Sequence, residues 1–428
     1  MDLCLRAVTK DGISDSELTE NLLELLNKYP AKKVLIIPPD HTRLHSKAGF
    51  LTCVCYNHYT ALGATVDILP ALGTHSPLTR DEAHEMFDGI PFERFIVHNW
   101  RQDVVKLGEI PASFIAERTE GLWTQPVEVE INRLVMDESY DLIISPGQVV
   151  PHEVAGMANH AKNLFVGVGG SDMINKSHMV GAIYGLERMM GRDHTPVRAI
   201  FDYALETFLK TRPVLFLLTV TTAPTGKILT HGLFCGQERD TLEAGIDLAQ
   251  NTNIDFVESG IRKCVVYLDP DEFKSTWLGN KAIYRTRMAI ADGGELVILA
   301  PGVKRFGEDN EVDSLIRKYG YCGRERVLEL FNDPGNADLR ANMGAAAHLI
   351  HGSSDGRFTI TYAVEAITQA EIASVGFTPA DYSDTAARYD PSKLTYGSNT
   401  LPDGEEIFYI PNPAIGLWIN REKFASIL

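Results

Sequence analysis

Along the first two-thirds of the chain, apolar residues alternate between short unbroken runs and helical spacing. Leu18, Leu22, Leu25 and Leu26 recur at helical intervals and predict an amphipathic helix over residues 18–26. Val34-Leu35-Ile36-Ile37-Pro38 then reads as a buried strand, a helix over about residues 47–62 follows, and Thr65–Leu69 reads as a second strand. Phe95-Ile96-Val97, Leu142-Ile143-Ile144, Leu164–Val168 and Pro213–Val220 extend the strand series. After a polar segment over residues 236–253 the pattern restarts. Cys264–Leu268, a helix over about residues 280–291 and Glu295–Leu299 predict one βαβ unit, and further runs lie at Phe358–Tyr362 and Ile407–Ile410.

Strands alternating with helices imply parallel pairing, so the expected fold class is α/β, each sheet mostly parallel and flanked by helices. A single core stops growing near ~250 to 300 residues, and 428 residues with a restarting pattern predict two domains, 1–255 and 256–428, with the active site in the cleft between them. In open α/β sheets ligands gather at the carboxyl ends of strands. Pro38-Pro39-Asp40-His41-Thr42-Arg43, Ala71-Leu72-Gly73-Thr74-His75 and Ser145-Pro146-Gly147-Gln148 each follow a predicted strand, so these loops are expected to converge.

The chain is 44% hydrophobic and 23% charged, as soluble globular enzymes are, and its net charge of -17 argues against nucleic acid or an anionic membrane as partner. An anionic small substrate stays open, because a few Arg and Lys can dominate one pocket. No apolar stretch approaches ~18 residues, and the first residues lack a signal peptide's basic region and apolar run, so a cytoplasmic protein is expected. The six Cys form no Cys-x-x-Cys pair and are expected to be reduced, buried structural thiols.

Asp40, Thr42 and Arg43 just before a helix can form an anion site, or merely an N-cap beside a surface Arg. His75, in a strand-to-helix loop, suits acid-base work near neutrality, although a lone loop His is often only a surface residue. Between Gly147 and His178 lie His152, His160, Lys162 and His178 with Gly156, Gly167, Gly169 and Gly170, where the backbone can approach a ligand closely. The bland alternative is a Gly-rich loop with satisfied polar residues. The His spacing excludes a HExxH zinc motif. Gly167-Val168-Gly169-Gly170 is half a dinucleotide fingerprint, Asp292-Gly293-Gly294-Glu295 reads as a helix C-cap turning into a strand, and no Walker motif or Gly-x-Ser-x-Gly elbow occurs.

Taken in order, Asp40-x-Thr42-Arg43, Gly73-x-His75, Pro151-His152-x-x-Ala155-Gly156, Lys162 and His178 resemble the lactate racemase (LarA) family of nickel-pincer enzymes, over most of the N-terminal domain. Lys281-Ala282 before Gly293-Gly294 is a weaker match in the C-terminal domain. The resemblance implies an isomerase: a racemase or epimerase inverting carbon 2 of a 2-hydroxy acid by hydride transfer. It implies residues 1–255 as the cofactor-binding and catalytic domain. The implied cofactor is the nickel-pincer nucleotide, a pyridinium-3-thioamide-5-thiocarboxylic acid mononucleotide nickel complex. Lys162 matches the family's lysine tether, His178 its nickel ligand, and His75 and His152 its acid-base pair. Arg43, with Asp40 and Thr42, would hold the cofactor or orient the catalytic groups, and Lys281, with Arg285 or Arg287, would neutralise the substrate carboxylate. Cofactor-maturation enzymes are the implied protein partners.

The chain departs from the family in two places. Ala158-Asn159-His160-Ala161-Lys162 stands where many members read Ser-Gly-Gly-Arg-Lys, and Leu278 stands where lactate racemases tend to have Gln. Both departures tell against lactate as the required substrate and leave the implied hydride transfer intact, so a different 2-hydroxy acid, a longer or sugar-derived one included, is as open as lactate. The rival readings are a dehydrogenase with exchanging NAD and a non-enzymatic nickel or nucleotide carrier.

Overall fold

Four strands that the apolar runs predict lie side by side and parallel. The structure, a computed structural model, describes residues 1–223, 227–414 and 416–426. Strands β1 (Leu3–Arg6), β2 (Lys33–Ile36), β3 (Thr65–Ile68), β4 (Leu142–Gln148), β5 (Val214–Thr222) and β6 (Leu229–Gly236) form one sheet in the order β1-β6-β5-β4-β2-β3. β5, β4, β2 and β3 are parallel, whereas β6 pairs antiparallel with β5, and β1 antiparallel with β6.

Helix α1 (Asp15–Leu26) starts where the Ser14 hydroxyl accepts the Glu17 N–H, and it turns Leu18, Leu22, Leu25 and Leu26 into the core. Those leucines meet Val34, Ile36, Leu51 of helix α2 (Ala48–Ala61), Ile144 and Leu217 in one apolar cluster. Each fully buried Leu there contributes roughly 1.5–3 kcal/mol. Helix α3 (Arg80–Met86) opens with a full capping box between Thr79 and Glu82.

By internal contacts the chain divides into two compact units, Met1–Val180 with Met190–Asn253, and Gly181–Met189 with Ile254–Leu428. In the second, β7 (Ile261–Tyr267), β8 (Ile290–Ala300), β9 (Thr359–Val364), β10 (Thr378–Asp381), β11 (Gly397–Thr400) and β12 (Glu406–Ile410) form a sheet in the order β10-β9-β8-β7-β12-β11. All its pairs are parallel except β11 with β12. Among the described residues no helix is long and apolar enough to cross a membrane.

Several expectations need correcting. Leu164–Val168 is no strand: helix α4 (Ala161–Phe165) covers its start, a buried apolar run being compatible with either state. Phe95-Ile96-Val97 keeps only a single bridge from Phe95 to Ile68, while Val104–Ile110 and Val127–Asn132 form an antiparallel pair that the pattern did not reveal. The polar stretch over residues 236–253 holds helix α7 (Arg239–Thr252), which buries Leu242, Ile246 and Ala249 along one stripe. Helices α5 (Ser171–Tyr184) and α6 (Pro196–Phe208) lie between α4 and β5. Asp292-Gly293-Gly294 is a bulge inside β8, with Gly293 at φ 75°, rather than a helix cap. All six thiols are free, but Cys4 and Cys322 are exposed, so the set is only partly a buried one.

Candidate active site

Because β2, β3 and β4 are parallel neighbours, the loops leaving them emerge at the same end of the first sheet. The loop after β2 turns at once into a 3-10 segment, His41–Ser46, and Asp40 is buried at its start. The Asp40 carboxylate accepts a hydrogen bond from Thr42 Oγ1 at 2.6 Å and meets His75 Nδ1 at 2.5 Å. Burial works against its charge, but the His75 and Thr42 hydrogen bonds and the Arg43 charge outweigh that and hold the carboxyl below its usual range. Gly73, at φ 56° and with its N–H on Gly167 O, makes the turn that delivers His75. With Nδ1 donating to Asp40, the Nε2 lone pair of this largely exposed ring is left available.

Of the readings the sequence left open for Asp40, its contacts fit the orientation of a neighbouring group better than a side-chain N-cap. It makes no side-chain cap bond, and its carboxylate faces His75, which it orients. Thr42 is engaged by Asp40. Of that loop, only the Arg43 guanidinium is without a hydrogen-bond or ion-pair partner among the described residues, and it lines a small open recess.

Lys162 lines the same recess from the first turn of α4. Asn163 pins that helix, donating to Ile37 O, just past β2, at 2.9 Å and to Ser145 Oγ, midway along β4, at 3.0 Å. The Lys162 amine has no hydrogen-bond or ion-pair partner among the described residues. Burial, and then the charges of Arg43 and Arg198, outweigh Glu153 and Asp40 and lower its pKa to about 8. An amine so placed keeps a usable neutral fraction near pH 7.

His152 sits on a small antiparallel ribbon, Pro151–His152 with Gly156–Met157, and is buried. Its Nδ1 accepts the Val154 N–H at 3.0 Å, so the neutral ring carries its proton on Nε2. Burial above all, with Lys162, Arg43 and His178, drives its pKa well below the ordinary value, and Glu153 is the group that favours charging it. His178, on α5, donates from Nδ1 to Ile174 O at 2.6 Å, which leaves Nε2 as a free lone pair. Burial and Lys162 keep this ring neutral also. A neutral imidazole whose other nitrogen donates to a carbonyl is the usual state of a metal ligand.

The departure noticed in the sequence takes a definite form. Asn159 and His160 both have positive φ, 68° and 58°, and His160 adds ψ −133°, a region that residues with a Cβ rarely occupy. The His160 ring packs against Phe216 at a tilt of 31° with centroids 3.9 Å apart, and neither ring nitrogen is hydrogen-bonded among the described residues. It is a buried neutral ring rather than a ligand-facing one. Three of the glycines expected to let a ligand approach face space filled by the protein itself: a Cβ on Gly167 would lie 2.3 Å from Asn163 O, one on Gly169 1.9 Å from Phe165 O, and one on Gly170 2.1 Å from Glu130.

Sequence reasoning passed over Glu153 and Arg198. Glu153 stood beside a singled-out histidine. Arg198 carried a signal of its own, as a charge on the buried stripe of α6 with Val197, Ile200, Phe201 and Ala204. Lys281 belongs to the second unit, its ammonium 5.7 Å from the Phe273 ring centroid. Arg285 and Arg287 belong to the second unit as well. Both are buried, Arg285 donating to Gly416 O and Arg287 to Ser353 O, with ion pairs from Arg287 to Glu187 and Asp355.

A parallel-rich sheet flanked by helices places the chain among the α/β proteins, with an Asp–His pair, two histidines of lowered pKa and a lysine without a partner among the described residues in its first unit. Residues 13–190 match the model of the lactate racemase N-terminal domain, so this part of the chain is similar to that family. The lactate racemase of Thermoanaerobacterium thermosaccharolyticum is 27% identical over 152 residues, 34% of this chain and 32% of that protein, so the match spans about a third of the relative's length. The structure of that organism's lactate racemase apoprotein is similar with a TM-score of 0.71 at 18% identity, covering 95% of this chain and 93% of that one. A structural-genomics crystal structure of a Thermotoga maritima protein gives a TM-score of 0.80 at 22% identity, over 97% and 99% of the two chains.

Proposed function

We propose that this protein is a cytoplasmic racemase or epimerase that inverts carbon 2 of a 2-hydroxy acid, lactate or a longer acid, on a nickel-pincer nucleotide installed by maturation enzymes. The observation that carries the reading is the Lys162 amine, buried, with its pKa lowered to about 8 and with no partner among the described residues, sharing one recess with Arg43, which has none among them either. The donor set suits the group. Lys162 would form its covalent tether, His178 Nε2 would complete the nickel's ligands, and Arg43 would face its anionic part. When bound, the group supplies a hydride acceptor and donor.

The protein's own side chains then handle the proton. Breaking the carbon 2 C–H bond as hydride requires the hydroxyl proton to leave at the same time, and His75 Nε2 is the available acceptor, its ring fixed by Asp40. The imidazolium that results is stabilised by the carboxylate at 2.5 Å. His152 presents Nε2–H, a hydrogen-bond donor to the same oxygen from a different loop. Glu153 is the neighbour that favours the charged ring against burial, and a substrate carboxylate beside it would add to that, allowing the ring to take up and return a proton. Two proton carriers on separate loops are what inversion through a planar 2-keto acid requires.

The test is to incubate holoenzyme with single-enantiomer 2-hydroxy acids, lactate and aldonates among them, and to assay the opposite configuration together with isotope exchange at carbon 2. Inversion with exchange supports the proposal. Metal retention without exchange would mark a carrier, and NAD-dependent oxidation independent of Lys162 would mark a dehydrogenase.

A further inference from the structure

The turn that precedes Lys162 is held from behind by one buried arginine. Arg198, 1% exposed, donates from one terminal nitrogen to Met157 O at 2.6 Å and Asn159 O at 3.3 Å, and from the other to Asn159 O at 3.3 Å. The carbonyls it grips flank Ala158 and end at Asn159, the first of the two positive-φ residues. The same helix end contributes Thr195, whose hydroxyl donates to Ala155 O at 3.1 Å. Asp202, one turn along α6, and Arg239 act electrostatically on Arg198, and Arg239 is itself held by Asp202 at 3.0 Å and Asp193 at 2.5 Å. On the far side of the turn, His160 rests on Phe216, its backbone N–H bound to Asn159 Oδ1 at 2.7 Å.

Residues with a Cβ leave this backbone region unless their surroundings hold them there. Glycines would occupy it freely. Here the holding group is a planar fork with several donors, which a lysine's single point charge does not reproduce.

We propose that Arg198 is a positioning residue: its guanidinium clamps the strained Asn159–His160 turn and thereby keeps Lys162 aimed into the recess. The inference rests on Lys162 being the reactive amine of the proposed function. Its test reads that amine directly, so a failed racemase reading and a failed clamp give different results. Arg198 also favours the neutral amine by its charge, which Arg198→Lys retains.

The experiment measures acylation of Lys162 by acetic anhydride against pH in the full-length chain made without the maturation enzymes, quantified by peptide mass spectrometry. Wild type, Arg198→Lys, Asn159→Gly/His160→Gly, and the combined variant are compared. In Arg198→Lys the turn relaxes and the amine meets water, so the midpoint of reactivity rises by about one pH unit towards the ordinary lysine value. In the combined variant the glycines hold the turn unaided and the midpoint returns to that of wild type. A fall in melting temperature with an unmoved midpoint would make Arg198 merely structural and overturn the proposal. Failure of the glycine pair to restore the midpoint would overturn it as well. If Arg198→Lys alone does not fold, the glycine pair is expected to restore both folding and midpoint, and restoring neither refutes the clamp.

Discussion

Replacing Lys162 by Met should stabilise the protein when no cofactor is attached. The interval from an ordinary 10.5 to about 8 corresponds, at about 1.4 kcal/mol per pKa unit, to about 3 kcal/mol of cost to the folded state at neutral pH. Met keeps the length of the side chain and carries no charge, so Lys162→Met removes that cost. Urea denaturation of both full-length proteins from pH 6.5 to 10.5, following the transition of the first unit, measures it. The sign follows from proton counts. Between pH 8 and 10.5 the unfolded lysine is protonated and the folded one is not, so wild-type stability rises with pH and the variant's does not. The variant should lead by about 3 kcal/mol at pH 7 and lose that lead by pH 10.5. A wild type more stable at pH 7, or a difference that ignores pH, would refute the claim that burial and Arg43 lower the pKa of Lys162.

Asp40→Asn should leave the fold intact but free His75 from its orienting carboxylate, lowering kcat of the holoenzyme by about a hundredfold with little change in KM. His178→Ala should keep the covalent adduct on Lys162 while losing nickel by elemental analysis, which separates tether from ligand. Gly147→Ala should lower the melting temperature, because its Cβ would fall 1.5 Å from Asn159 Nδ2, and Asn159→Gly should restore it. His160→Phe should reduce acid lability. The folded His160 pKa lies well below 6.5, so wild-type stability is lost as pH falls below the unfolded value, and the variant's urea midpoint should decline less between pH 6.5 and 5.

Much of the first unit was legible because its signals are local. The leucines of α1, the runs of β2, β3 and β4 and the Thr79–Glu82 box each specify an element from a few neighbours. That β2, β3 and β4 are parallel then sets Asp40, His75 and the turn with His152 at one end without further information. What was not legible depends on distant partners. Leu164–Val168 is apolar enough for strand or helix, and Asn163 bonding Ile37 and Ser145 across the sheet fixes α4 there. Asp40 looked like an anion-site residue because its partner, His75, is 35 positions away. The glycines from Gly167 to Gly170 looked like a ligand cradle, yet Asn163, Phe165 and Glu130 fill the space beside them. The Asn159–His160 departure was visible, but its consequence required the backbone angles and the buried Arg198.

The central claim is that Lys162 is the covalent anchor of a nucleotide cofactor, and intact mass spectrometry tests it most directly. Wild type co-expressed with the maturation enzymes should carry one added mass, mapping to Lys162, and Lys162→Ala made in parallel should carry none. An adduct that persists in Lys162→Ala, or a wild type that stays unmodified beside a family enzyme that acquires the group in the same cells, would contradict the account.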